Sequence, residues 1–105
     1  MPFTDERAAT RIEEAREDLG LSQEAFGNAI KAFAQSRGWY KVVAGRAIGG
    51  CDAFTIRRVE REGHVPSERV RLVIALYLSE VLGRRVEPRE IWEPRNRRPV
   101  IKEAA

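Results

Sequence analysis

Three arginines lie close together in the stretch DAFTIRRVEREG, which covers residues 52–63: Arg57, Arg58 and Arg61. A guanidinium group stays charged at neutral pH, and its parallel N–H donors match carboxylates, phosphates and the edge of guanine. The stretch opens on an aspartate and closes on a glycine, residue types that begin and end helices. The sequence therefore predicts a short basic helix suited to an anionic partner.

The rest of the chain has the size and charge of one small domain. It has 105 residues, of which 43% are hydrophobic, and a formal net charge of +3. Residues 4–18 hold six acids and three bases, whereas residues 31–61 hold seven bases and two acids. Residues 84–102 again hold seven bases, with three acids. Such a polarised surface favours contact with a phosphate backbone.

Several classes of protein are not indicated by these residues. The single cysteine, Cys51, allows no internal disulfide, so a reducing, cytoplasmic setting is expected. The longest apolar run, VIALYL, is too short to cross a bilayer, and the first residues do not resemble a secretion signal. One histidine and one cysteine make no zinc set, and no catalytic constellation or phosphate loop is recognisable. We expect no enzyme activity, no cofactor, no metal and no small-molecule ligand.

Residues typical of helix ends divide most of the chain into five helices. Aspartate, serine and threonine favour the first position of a helix, and glycine favours the position just past its end. The expected starts are Thr4 or Asp5, Ser22, Asp52, Pro66–Ser67 and Pro88, and the expected ends are Gly20, Gly63, Gly83 and Trp92.

Apolar residues at helical spacing indicate which face of each helix is buried. In the third helix, either Ala53 or Phe54 is expected to face inward together with Ile56 and Val59. The other inward positions are Ala8, Ile12, Ala15, Leu19, Ala25, Phe26, Ala29, Ile30, Phe33, Val70, Val73, Ile74, Tyr77, Leu78, Val81, Leu82, Ile91 and Trp92.

The segment WYKVVAGRAIGG, residues 39–50, has a less certain pattern. Trp39, Val43 and Ala47 fit one helical face, whereas valine, tryptophan and tyrosine also suit a strand. We favour a helix or helical turn and expect no strand pair. The aromatic residues indicate a packed segment, and Cys51 just after it is expected to be a small buried residue.

The two ends of the chain differ in composition. Residues 1–93 are predicted to form the folded domain. Residues 94–105 contain prolines and clustered arginines without periodicity, and are predicted to be a basic, flexible tail.

The ordered motifs LSQEAFGNAI, TIRRVEREG, Pro66, EVLG and EIW resemble the lambda-repressor-like helix-turn-helix family, also called the xenobiotic-response-element or Cro/C1-type family. The resemblance covers about residues 10–92 and implies an all-α domain of five or six helices. It departs from the family pattern between Ile30 and Thr55, where about 19 extra residues expand the turn. This insertion is placed at about residues 31–51.

The resemblance also implies roles for individual residues. Gln23 matches a contact to backbone phosphate, Arg58 matches the best candidate for reading bases, and Glu60 matches a structural partner of a basic neighbour. Arg57 is a second base-reading candidate, and Arg61 a phosphate contact. The complete set of candidate DNA-binding residues is Ser22, Gln23, Lys31, Arg37, Lys41, Arg46, Ala53, Phe54, Thr55, Arg57, Arg58, Arg61, Arg97 and Arg98.

The function implied is a sequence-specific transcription regulator that binds double-stranded DNA, most simply a small repressor of the phage or Cro type. An antitoxin-type autoregulator remains an alternative. So does a protein-interaction module without DNA binding, because the expanded turn could cover the usual binding face. Family members often dimerise, so monomer and homodimer both stay open.

Overall fold

The computed structural model describes residues 4–48 and 51–92. Five α-helices form its body, as the sequence predicted, and a short hairpin lies between the second and the third helix. The helices are α1 (Glu6–Asp18), α2 (Gln23–Ser36), α3 (Ala53–Glu62), α4 (Glu68–Leu82) and α5 (Pro88–Ile91). The strands are β1 (Lys41–Val43) and β2 (Arg46–Ile48). None of the helices in these ranges is long and apolar enough to span a membrane.

The helices begin and end where the capping residues predicted. Four N-cap side chains each accept a hydrogen bond from the backbone N–H three positions ahead, which satisfies a donor without a partner inside the helix. The four are Asp5, Ser22, Asp52 and Ser67. At the other end, α3 and α4 stop at Gly63 and Gly83, whose φ values of 68° and 70° are left-handed.

The helical prediction for residues 39–50 is wrong, because residues 41–48 form an antiparallel hairpin. The register pairs Lys41 with Ile48 and Val43 with Arg46. Ala44 and Gly45 form its turn with φ values of 52° and 78°, and tight hairpin turns need this left-handed conformation. The β-branched residues Val42, Val43 and Ile48, which lie on either side of a two-residue turn, outweighed the weak helical spacing.

One hydrophobic core joins all five helices. Its largest fully buried side chains are Phe26, Ile12, Ile30, Ile56, Ile74, Leu78, Val59 and Cys51. Edge-to-face ring contacts extend this core toward the insertion. Tyr77 contacts both Phe26 and Phe33, with ring centroids 5.9 and 5.7 Å apart, and Phe33 contacts Trp39 at 5.6 Å. The insertion is therefore anchored to the core at its start, as its aromatic content predicted.

The end of α4 corrects a second expectation. Val81 and Leu82 are exposed, although the apolar spacing placed them inside. The hydroxyl oxygen of Ser79 accepts a hydrogen bond of 2.9 Å from the backbone N–H of Val86, and the hydroxyl donates to the carbonyl of Ala75 at 2.8 Å. The chain therefore folds back over the turn that contains Ser79, and the last turn of α4 is left uncovered.

The short helix α5 returns to the core as predicted. Ile91 and Trp92 are buried. Arg11 in α1 donates a hydrogen bond of 2.9 Å to the carbonyl of Ile91. This contact closes the domain by joining its first helix to its last.

Candidate nucleic-acid interface

The start of α3 lies directly against α2 in spite of the insertion between them. A Cβ atom on Gly27 would stand 2.5 Å from the carbonyl carbon of Asp52 and 2.7 Å from the Cα atom of Ala53. Only glycine allows two backbones to approach this closely. The long excursion through the hairpin therefore returns the chain to the middle of α2.

A buried carboxylate fixes α3 at its other end. Glu60 accepts hydrogen bonds from Arg16 Nε at 2.7 Å, Arg16 Nη2 at 2.9 Å and Gln23 Nε2 at 2.9 Å. Arg16 also donates to the carbonyl of Leu21 at 2.8 Å. The side chains of Arg16 and Glu60 are only 13% and 5% exposed. This network joins α1, α2 and α3, and it confirms the structural role that the resemblance implied for Glu60.

The N-terminus of α2 combines a cap with free backbone donors. The hydroxyl of Ser22 accepts a hydrogen bond from the N–H of Ala25 at 3.0 Å. The N–H groups of Gln23 and Glu24 have no acceptor within the helix, as is usual in a first turn. Such donors, together with the helix dipole, suit a phosphate. The amide of Gln23 uses one of its two N–H donors on Glu60, so its position is set by α3.

The outer face of α3 is basic. Ile56 and Val59 are fully buried, which turns Arg57 and Arg61 outward. Both arginines are exposed, and neither forms an ion pair or hydrogen bond with any residue that the structure describes. Two charged donors are thus available on one surface of a helix that is locked to the core by its other side.

Arg58 is held more closely than its neighbours. Its Nε lies 3.5 Å from Glu62 Oε1, one turn ahead, and its guanidinium lies over the ring of Phe54, one turn behind, at 5.9 Å. Partial burial and, to a smaller extent, the charge of Arg58 lower the pKa of His64. Arg58 remains partly exposed, so its guanidinium is positioned without being sealed.

The first turn of α3 separates three candidates by their surroundings. Thr55 donates its hydroxyl to Asp52 Oδ1 at 3.1 Å and so takes part in the cap. Ala53 is half-buried against Gly27. Phe54 is the residue that projects outward, which decides between the two alternatives left open for the inward position.

Two other predicted residues lie in the second half of α2 or directly after it. Arg37 follows the last residue of α2, where it pairs with Glu80 and packs on the rings of Phe33 and Trp39 at 4.7 and 5.9 Å. Lys31 lies 5.3 Å from the ring of Tyr40.

Four further candidates lie in the insertion or in the C-terminal tail. Lys41 and Arg46 are located on the strands by their backbone, and their side chains are not described. Arg97 and Arg98 lie outside the described residues. The structure thus brings together Ser22, Gln23 and the α3 residues, whereas Arg37 lies at the far end of α2.

Two residues of this site, Arg16 and Gly27, were missed in the sequence. Gly27 interrupts the apolar periodicity of a helix, and an isolated glycine there often marks a close packing contact. Arg16 stands in a largely acidic helix, and nothing local distinguishes it from a surface arginine.

No protein-family model, curated protein or solved structure matches this chain. Nor do the described residues contain a group of three or more histidine, cysteine or acidic side chains placed to hold a metal ion. The assignment of the site therefore depends on the geometry of α2 and α3.

The thiol of Cys51, next to the cap of α3, should be unreactive in the folded protein. Burial, aided by the charge of Asp52, raises the pKa of this thiol to about 12. The thiolate is the reactive form, so iodoacetamide should label Cys51 slowly at pH 8 and rapidly in denaturant. Equal rates would contradict the burial.

The same shift predicts a loss of stability in alkali. A thiol in the unfolded chain ionises near pH 8.5, before the folded one does. The stabilisation from the neutral buried thiol is complete below that pH and declines as the pH rises toward about 12. Urea denaturation of the wild type and of Cys51→Ala measures this effect. The free energies of unfolding of the two proteins should differ below pH 8.5 and become more alike as the pH rises toward about 12.

Proposed function

We propose that the protein is a sequence-specific, double-stranded DNA-binding transcription regulator of the lambda-repressor-like helix-turn-helix class, acting as a repressor. One observation carries the proposal. The exposed arginine face of α3 belongs to a helix that is fixed against α2 by the Gly27 contact and by the Glu60 network. A recognition helix needs both exposed donors and rigid packing against the rest of the fold.

The dimensions of α3 support entry into the major groove. A major groove is about 12 Å wide and admits one α-helix. The ten residues of α3 span about 15 Å along the helix axis. Its apolar side is used in the core, so its polar side can enter the groove without exposing that core.

In the proposed complex, α2 and α3 contact different parts of the DNA. In this arrangement α3 presents Arg57, Arg58 and Phe54 to base edges, and Arg61 to a phosphate. The N–H groups at the start of α2 bind a second phosphate. Phosphate contacts fix position and register, whereas base contacts select the sequence. Bound at a promoter, such a protein represses by excluding polymerase.

Selection of bound duplexes from random DNA, followed by titration at several salt concentrations, tests this proposal. Each cation that neutralises a phosphate contributes about −0.9 to the slope of log K against log salt, so the single contact from Arg61 weakens binding about 3.5-fold between 50 and 200 mM salt. An affinity that stays constant over this range, or a pool with no enriched sequence, would contradict the proposal.

Arg58→Ala should weaken binding to the selected duplex by about 1–3 kcal/mol, the effect of losing one bidentate base contact. Binding to random-sequence DNA should change far less. Arg85→Ala is the matched control, because it removes the same charge at a different place. Arg85 is exposed and pairs with Glu87 beyond α4. If both variants bind the selected duplex alike, Arg58 does not read bases.

A protein-interaction module is the second candidate, and the adjacent exposed apolar residues Val81 and Leu82 at the end of α4 favour it. The DNA selection separates the two candidates, since an interaction module enriches no duplex even at low salt. The selected sequences also report stoichiometry. A homodimer would give two half-sites about 34 Å apart along the duplex, and a monomer one.

A further inference from the structure

Phe54 is the most exposed of the large hydrophobic side chains that the structure describes. It is 62% exposed, compared with 47% for Leu72, the next of them. Exposing an aromatic ring to water is unfavourable, and Ala53 beside it is already packed against α2. The ring is therefore available to an apolar partner outside the chain.

The ring also lies beside a charged donor. Phe54 and Arg58 are one helical turn apart, and the guanidinium carbon of Arg58 lies 5.9 Å from the ring centroid. Glu62 holds the same guanidinium from the next turn, at 3.5 Å. The aromatic ring and the charged donor thus lie side by side on the outer face of α3, and we call them the Phe54–Arg58 pair.

We infer that this pair reads a combined signal, in which Phe54 packs on the C5-methyl group of a pyrimidine and Arg58 binds a nearby guanine. The inference rests on the proposed function, because it requires α3 to enter the major groove. There a thymine presents its methyl group and guanine presents the two acceptors that match a guanidinium. The ligand is therefore duplex DNA with a 5-methylpyrimidine close to a guanine.

The separation within the pair sets how close the two bases are. Successive base pairs of B-DNA are about 3.4 Å apart. Groups 5.9 Å apart therefore meet base pairs that are neighbours or next-nearest neighbours. The methyl group must lie within two base pairs of the guanine.

Replacing single thymines by deoxyuridine in the selected duplex tests the inference, because this change removes only the methyl group. One position within two base pairs of a guanine should lose about fourfold in affinity, as expected for one buried methyl-sized group. Phe54→Ala should bind the thymine and uracil duplexes equally. Leu72→Ala truncates another exposed apolar side chain on α4, and should keep the fourfold difference. Thermal melts check that both variants fold.

The outcomes separate this inference from the proposed function. A tight selected duplex whose affinity is unchanged by uracil at every position would overturn the methyl contact and leave DNA binding in place. A uracil penalty that persists in Phe54→Ala, or a selected site without thymine within two base pairs of a guanine, would also overturn it. Failure to enrich any duplex would refute the proposed function, and this inference with it.

Discussion

Replacing Glu60 with alanine should lower the free energy of unfolding by about 3–5 kcal/mol, because removing one partner of a buried ion pair leaves the other charge uncompensated. Arg16 is only 13% exposed, and it would lose both hydrogen bonds to the carboxylate. Gln23 would lose its bond to Glu60 as well. Urea denaturation of the variant and the wild type measures the difference.

The control for this prediction lies two residues further along the same helix. The side chain of Glu62 is 62% exposed and pairs with Arg58 at 3.5 Å. Exposed pairs of this kind contribute about 0.3–0.5 kcal/mol, so Glu62→Ala should have little effect. Similar small losses in both variants would show that the buried network does not stabilise the fold.

A double-mutant cycle then assigns the effect to the pair. Arg16→Ala and Glu60→Ala remove the two partners of one contact, so the double variant should be clearly less destabilised than the sum of the single variants. Additive losses would indicate that Glu60 acts through Gln23 or through packing instead.

Gly27→Val should lower the free energy of unfolding by about 3 kcal/mol, the upper end of the usual range for overpacking. Even a Cβ atom at this position would meet the backbone of Asp52 and Ala53 at 2.5 and 2.7 Å. Backbone atoms cannot rotate aside as a side chain would, so α3 has to move away from α2. Thermal or urea unfolding measures the loss.

Asn28→Ala provides the matched comparison, since Asn28 is the next residue of α2 and is exposed. This change should leave stability within about 0.5 kcal/mol of the wild type. If Gly27→Val were equally mild, the close approach of the two helices would not be needed for the fold. Under the proposed function, Gly27→Val should also weaken DNA binding at temperatures where the variant is folded.

The helices of this protein are largely predictable because their signals are local. Asp5, Ser22 and Asp52 each accept the N–H bond that a cap is expected to accept, and Gly63 and Gly83 adopt the left-handed conformation that ends a helix. These bonds join residues three or four positions apart. The sequence therefore contains all the information that they need.

The hairpin and the Glu60 network depend on contacts between residues that are further apart in the sequence. Val42 and Val43 suit a helix or a strand, and the choice was made by pairing with residues 46–48 across a tight turn. The bond between Arg16 and Glu60 joins residues 44 positions apart. The family resemblance indicated that Glu60 has a structural partner, but only the packing of α1 against α3 identifies Arg16.

The outward residues of α3 were only partly predictable from the sequence. The burial of Ile56 and Val59 followed from their spacing and directs Arg57 and Arg61 outward. The choice between Ala53 and Phe54 did not follow, because it depends on the room left beside Gly27. Whether α3 binds DNA stays a prediction.

The return of the chain from the hairpin to Gly27 has a consequence for how this protein tolerates change in length. The α2 helix runs on for nine residues after Gly27, about 14 Å, before the excursion begins. The position of α3 is set by contacts on either side of that excursion. Because doubling a flexible connection costs only about 0.6 kcal/mol of closure entropy, we expect that connections of different length can replace the part between Tyr40 and Cys51 while α3 keeps its place. Such exchanges leave the ring contact between Phe33 and Trp39 intact.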